Sequence, residues 1–129
     1  MNTTSAKAVI EKWVGLLATG DMDAIVAMFT DDAVIDMPGS SDLPWAGRWQ
    51  GAAQIDEYFK VMPAALKILE HEHKFWIADG DMVAVTGLEA AASHVSGKDY
   101  RAKWCWVFQV RDDKIALWDA YEDTEAMAN

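Results

Sequence analysis

The chain has 129 residues, 52% of them hydrophobic, which is enough for one domain with a sizeable core and too apolar for a disordered chain. The net charge of −10 argues against binding to nucleic acid or to an anionic membrane surface, because both need Lys and Arg. Cys105 is the single cysteine, which excludes an intrachain disulfide and a cysteine-based zinc site. We see neither a signal-peptide pattern nor an apolar stretch long enough to span a bilayer, so we expect one cytoplasmic domain over residues 1–129.

The first half of the chain is predicted to be mainly helical. Apolar residues recur at helical spacing, and Gly20 followed by Asp21 is typical of one helix ending and another beginning. The predicted segments are a helix over residues 5–19, a second helix after Asp21, a strand over 33–37, a loop over 38–51, and a third helix with Ile55, Phe59 and Met62 on its apolar stripe.

The second half is predicted to be strands joined by tight turns. The best alternation is over residues 100–111, where Tyr100, Trp104, Trp106 and Phe108 share one face. Helices followed by an antiparallel meander indicate an α+β fold. The four predicted strands cover residues 68–78, 82–95, 100–111 and 114–122.

Four stretches together resemble a known family. They are GDMDAIVAMFTDDAVIDMPG at 20–39, GAAQIDEYF at 51–59, ADGDMVAV at 78–85 and VFQVRDDKIALWDAYED at 107–123. They are similar to the SnoaL-like branch of the nuclear transport factor 2-like superfamily, whose relatives include ketosteroid isomerases and limonene epoxide hydrolases. The resemblance implies a curved antiparallel sheet wrapped by three helices into a cone with a hydrophobic pocket at its mouth. It does not imply one function, because this superfamily contains enzymes, binding proteins and scaffolds.

The catalytic sets of these relatives are not reproduced. Where the resemblance places the oxyanion tyrosine, the catalytic aspartate and the second oxyanion acid of ketosteroid isomerases, this chain has Trp13, Met37 and Trp106. We therefore expect no steroid isomerase chemistry of the usual form.

The positions that hold water and open the epoxide in epoxide hydrolases are also mostly changed. The asparagine corresponds to Asp36, the tyrosine to Val34, the first aspartate to Glu89, the arginine to Gly87 and the second aspartate to Ala120. One acid of that set is thus retained, as Glu89, with Asp36 nearby in the analogy.

Asp36 is the first candidate for a catalytic base or a water holder. It shares a strand face with Val34, and the resemblance directs that face to the pocket, whereas the alternative is an edge-strand acid in solvent. Its expected partner is Glu89 or His73. Alternation places His71 and His73 on the face of residues 69, 75 and 77, as proton shuttles, as a weak metal-binding pair or as ordinary structural histidines.

The remaining candidates would shape the pocket. The residues expected to line it or touch the substrate are Trp13, Val34, Tyr58, Trp104, Trp106 and Glu122. Together these features favour an enzyme that uses acid–base chemistry, without cofactor or metal, on an apolar, ring-containing substrate. Two alternatives remain open: a binding protein for a hydrophobic small molecule, and a scaffold with a vestigial pocket. A homodimer through the outer sheet face, around Cys105 and Val107, is also expected.

Overall fold

The computed structural model describes residues 5–39 and 43–128. The helices are α1 (Ala6–Thr19), α2 (Met22–Ala27), α3 (Ala52–Ala65) and α4 (Thr124–Ala128). The strands are β1 (Phe29–Met37), β2 (Gly47–Gln50), β3 (Leu66–Asp79), β4 (Met82–Ser93), β5 (Asp99–Arg111) and β6 (Lys114–Glu122).

All six strands form one sheet in the order β2-β1-β6-β5-β4-β3. Every neighbouring pair is antiparallel except β1 and β6, which run parallel. The predicted α+β fold, with helices in the first half and a curved, mainly antiparallel sheet, is confirmed. Strand β2, helix α4 and the parallel pair were not predicted, and β2 occupies part of the predicted loop 38–51.

Local capping sets the boundaries of the first two helices. The Ser5 side chain accepts a hydrogen bond from the backbone N–H of Ala8 at 3.1 Å, and α1 ends at Gly20, whose φ of 72° is left-handed. Asp21 caps α2 by accepting from the N–H of Ala24 at 3.2 Å. Helix α3 passes into β3 with no intervening loop, because Leu66 is already extended.

Two β-bulges in β3 decide which of its side chains face the helices. His71 lies opposite Glu89 and His73 opposite Gly87, but the pairing slips before and after this pair, near residues 69 and 74. Each slip moves the following side chains to the other face. His71 and His73 therefore lie on the inner face, whereas Phe75 and Ile77 lie on the outer face, so the predicted shared face for all four was wrong.

Trp13 is the centre of the core rather than part of the pocket wall. Its side chain is fully buried, and its indole N–H donates to the backbone oxygen of Ile25 at 3.3 Å. The rings of Phe29, Phe108 and Trp118 meet it edge-on, with centroids 4.9–5.7 Å away. The sequence-based assignment of Trp13 to the substrate site is corrected accordingly.

The outer face of the sheet exposes several large apolar side chains. Phe75, Ile77 and Tyr121 are 67%, 66% and 55% exposed. The homodimer expected on this face stays a prediction. None of the described helices is long and apolar enough to cross a membrane.

A glycine in β4 leaves room for a neighbouring indole. A Cβ at Gly87 would collide with the indole of Trp104 and with the backbone oxygen of Glu72. We expect Gly87→Ala to destabilise the protein by about 1–3 kcal/mol, because overpacking forces neighbouring atoms to shift. The matched control is Gly15→Ala in α1, where a Cβ would meet nothing within 4 Å. It should stabilise by about 0.5–1 kcal/mol. Chemical denaturation measures both, and equal effects of the two substitutions would contradict this account.

Candidate functional site

A cavity of about 570 Å³ lies between the helices and the inner face of the sheet. Most of its wall is apolar, supplied by α1, α2, α3 and the start of β3. The side chains on this part of the wall include Val14, Leu17, Met22, Ile25, Met62 and Ile68.

Polar side chains from four different elements meet in this cavity. Tyr58 comes from α3, His71 and His73 from β3, Glu89 from β4 and Glu122 from the end of β6. The sheet register brings the strand residues together, since His71 pairs with Glu89 directly. Tyr58, His73, Glu89 and Glu122 were predicted as site residues, whereas the role of His71 was left open. The structure places all five at the cavity.

Glu89 is a buried carboxyl group with two polar neighbours. Its side chain is 7% exposed, and the Tyr100 hydroxyl donates to its Oε2 at 2.7 Å. Burial raises the pKa of Glu89, and the Tyr100 hydrogen bond opposes that shift by stabilising the carboxylate. The Nε2 of His71 lies 3.6 Å from Oε1.

The two histidines are uncharged at neutral pH. Burial, with a smaller effect from His73, lowers the pKa of His71 to about 4. Burial also lowers the pKa of His73. The contact between His71 and Glu89 is therefore one between a neutral imidazole and a carboxyl group, not an ion pair.

Glu122 is the second carboxyl group in the cavity. It lines the cavity, and burial together with the nearby charge of Glu89 raises its pKa to about 8. The indole of Trp106 opposes this shift slightly, although its N–H makes no hydrogen bond of normal geometry. At neutral pH Glu122 keeps its proton, whereas the hydrogen bond from Tyr100 favours the carboxylate form of Glu89.

Tyr58 adds a hydroxyl group that stays protonated. Its side chain is 3% exposed, and burial together with the nearby carboxyl groups of Glu122 and Glu89 raises its pKa well above the ordinary value. The polar end of the cavity thus combines protonated donors with one carboxylate.

Tryptophans form the wall beside these groups. Trp106 lines the cavity as predicted, and Trp118 lines it although it was not singled out from the sequence. Trp118 alternates with Ala120 and Glu122 along β6, and that periodicity was the signal for it. Trp104 does not line the cavity. It lies beside Trp106 on the same face of β5, stacked on Trp106 with centroids 4.1 Å apart and on His71 at 4.8 Å, so its predicted contact with substrate is corrected.

Asp36 and Val34 do not belong to this site. The inner face of β1 carries Ala33, Ile35 and Met37, all buried, and Met37 lines the cavity. Asp36 lies on the outer face opposite Asp119 of β6, so the predicted catalytic role of Asp36 and the substrate contact of Val34 are corrected. The physical reason is the hydrophobic effect, which turns the more apolar face of the strand inward.

Four buried polar atoms around this region have no hydrogen-bond partner among the described residues. They are Nε2 of His73 and the indole nitrogens of Trp104, Trp106 and Trp118. Unpaired buried groups are unusual, and they concentrate here beside the cavity. In the described part of the chain, no group of three or more His, Cys, Asp or Glu side chains is arranged to hold a metal ion.

The sheet order and the cavity between the helices and the sheet are those of an α+β domain with the nuclear transport factor 2-like fold. Residues 10–118 match the SnoaL-like domain, and the chain belongs to that family.

Solved structures with this fold include proteins of several kinds. A nuclear transport factor 2-like protein from Burkholderia xenovorans LB400 is 21% identical, with a TM-score of 0.86 over 98% of this chain and 97% of that chain. A proposed isomerase from Bacillus subtilis is 21% identical, with a TM-score of 0.76 over 94% and 91%. An LEH-like epoxide hydrolase from Mycobacterium tuberculosis is 24% identical, with a TM-score of 0.74 over 95% and 85%. At these identities the likeness establishes the fold alone.

The raised pKa of Glu122 predicts a loss of stability as pH rises. The folded state keeps this proton up to about pH 8, whereas the unfolded state loses it near the ordinary value of 4.5. The folded state therefore binds more protons, and the free energy of unfolding falls with pH in this window. The lowered pKa of His71 acts in the opposite direction, but only below its ordinary value of 6.5.

Between pH 6.5 and about 8 His71 does not oppose the effect of Glu122. We therefore expect the free energy of unfolding to fall by about 2 kcal/mol over this range. Urea titrations across this range measure it. Glu122→Gln should flatten the slope, and Glu57→Gln, at an exposed position of α3, should not. A wild-type slope that survives Glu122→Gln would contradict the assignment.

Proposed function

We propose that the protein is a cofactor-independent enzyme that transfers a proton by acid–base chemistry within an apolar, ring-containing small molecule. The reaction type would be an isomerisation, a cyclisation or a hydration. The observation that carries this proposal is that two carboxyl groups line one largely apolar cavity in different environments: Glu89 accepts a hydrogen bond from Tyr100, and Glu122 has its pKa raised by burial.

The two carboxyl groups divide the chemistry between them. Glu89, as carboxylate, takes a proton from the carbon next to a substrate carbonyl, and the electron pair moves to the carbonyl oxygen. The protonated Glu122 and the Tyr58 hydroxyl donate hydrogen bonds to that oxygen as its negative charge develops. Returning the proton from Glu89 to another carbon completes an isomerisation. In a cyclisation the enolate carbon instead forms a bond to a second carbonyl carbon, and the alkoxide that results takes the proton from Glu89, which restores the carboxylate.

This assignment moves the oxyanion donors to new positions. A protonated carboxylic acid beside a tyrosine is the donor pair of ketosteroid isomerases. The positions that the resemblance gives to those donors hold Trp13 and Trp106 here. The donor pair would instead come from α3 and from the end of β6.

Two further residues have supporting roles in this proposal. Tyr100 holds Glu89 in place and favours its ionised form through the 2.7 Å hydrogen bond. His73 lines the cavity as a neutral imidazole whose Nε2 has no partner among the described residues, which suits a contact to substrate. The aromatic walls favour a flat or ring-bearing compound.

The test is turnover of β,γ-enones, cyclic epoxides and aldol precursors of cyclic polyketides. Glu89→Gln should lower kcat/KM by about 10²–10⁴, because it removes the general base. Glu122→Gln should lower kcat/KM by a smaller factor, because an amide N–H is a weaker hydrogen-bond donor to the developing oxyanion than a carboxylic acid. The rate of the wild type should fall above about pH 8, as Glu122 ionises. Asp36→Asn removes a carboxylate of the outer face and serves as the matched control, with kcat/KM unchanged.

Two outcomes would count against an enzyme with these roles. Full activity in Glu89→Gln would remove the proposed base. Quenching of Trp fluorescence by these compounds without turnover, at equal affinity in both glutamate variants, would favour a binding protein. The apolar wall beside Trp106 and Trp118 supports that second candidate.

A further inference from the structure

We propose that this cavity selects uncharged ligands that carry hydrogen-bond-accepting oxygens, such as ketones, quinones and esters, and rejects the corresponding carboxylates. The inference rests on the proposed function only in taking the same cavity as the site. It concerns the charge and hydrogen bonding of the ligand, which the proposed reaction alone does not specify.

The first argument is the balance of charge inside the cavity. None of the described residues that line it is a Lys or an Arg. His71 and His73 are uncharged at neutral pH. Glu89 contributes a negative charge without a cationic partner among the residues that line the cavity. An anionic ligand would meet this carboxylate where little water is present to screen the repulsion. The net charge of −10 disfavours its approach as well.

The second argument is the supply of hydrogen-bond donors. The protonated Glu122 and the Tyr58 hydroxyl are donors at the cavity wall. The indole N–H of Trp118 belongs to a lining residue and lacks a partner among the described residues. The carboxylate of Glu89 is already an acceptor for Tyr100. A ligand with acceptor oxygens provides hydrogen-bond partners for these donors, whereas a protonated amine has no acceptor to offer them.

The third argument is that the shape of the cavity discriminates little. Four methionines line it, namely Met22, Met37, Met62 and Met127. Methionine side chains are unbranched and flexible, so they adapt to ligands of different outline. Selection between ligands of similar size then depends on charge and hydrogen bonding.

Calorimetric titration of the full chain at neutral pH with four compounds that share one ring system tests the proposal. They are 2-acetonaphthone, 2-naphthamide, 2-naphthoate and the protonated form of 2-(aminomethyl)naphthalene. We expect the ketone and the amide to bind and 2-naphthoate to bind at least about tenfold more weakly than the ketone.

Two variants locate the source of the selectivity. Glu89→Gln should bring the affinities for 2-acetonaphthone and 2-naphthoate closer together, whereas Asp36→Asn should leave their ratio unchanged. If Glu89→Gln does not fold, the wild type at about pH 9 provides the second test, since ionised Glu122 should increase the ratio further.

Three outcomes would overturn the proposal: affinities for 2-naphthoate and the ketone within about threefold of each other, tightest binding of the amine, or no binding of any of the four compounds. The result is independent of turnover. Selective binding without catalysis would contradict the proposed enzymatic function and support the proposed ligand selectivity. Catalysis without this selectivity would support the enzymatic function and contradict the ligand selectivity.

Discussion

The burial of two carboxyl groups at one apolar cavity is the constraint on which the rest of this structure depends. Removing a charged carboxylate from water costs several kcal/mol unless it is paired, and no Lys or Arg lines the cavity among the described residues. The protein meets this cost by keeping one group protonated and giving the other a hydrogen bond from Tyr100. The proposed proton transfer rests on this arrangement of two carboxyl groups.

Burying polar groups at the cavity lowers the stability of the folded state, and packing of the aromatic core offsets that loss. Trp13 is fully buried and contacts rings from β1, β5 and β6, so it connects α1 to three strands at once. Large aromatic side chains bury 150–250 Å² each, which is worth several kcal/mol per residue by the usual area relation. This core lies beside the cavity, and Trp106 and Trp118 belong to both. The same residues therefore stabilise the fold and shape the site.

The overall fold could be predicted from the sequence because its signals are local. Alternation over residues 100–111 placed Trp106 on the inner face, and helical spacing placed Ile55 and Phe59 in the core. The face of β1 could also have been predicted, because Ala33, Ile35 and Met37 form the more apolar side of that strand. The resemblance to epoxide hydrolases favoured Asp36 instead, and that assignment was wrong.

The candidate site could be predicted only in part because it depends on long-range pairing. His71 and His73 reach the cavity through two bulges in β3, and these are visible only in the pairing with β4. The role of Glu122 depends on its distance from bulk water and on Glu89, which comes from a different strand. Sequence alone identified both acids as candidates but could not show that they line one cavity.

The close packing of Trp104 over Gly87 has an evolutionary consequence. The resemblance places the arginine of epoxide hydrolases at Gly87, and here the Trp104 indole fills the space that a side chain at this position would need. An arginine introduced at this position would collide with the ring, and loss of the ring would leave a void beside His71. Each change is harmful without the other. A change between these two arrangements therefore requires both substitutions together, which makes each arrangement resistant to single mutations.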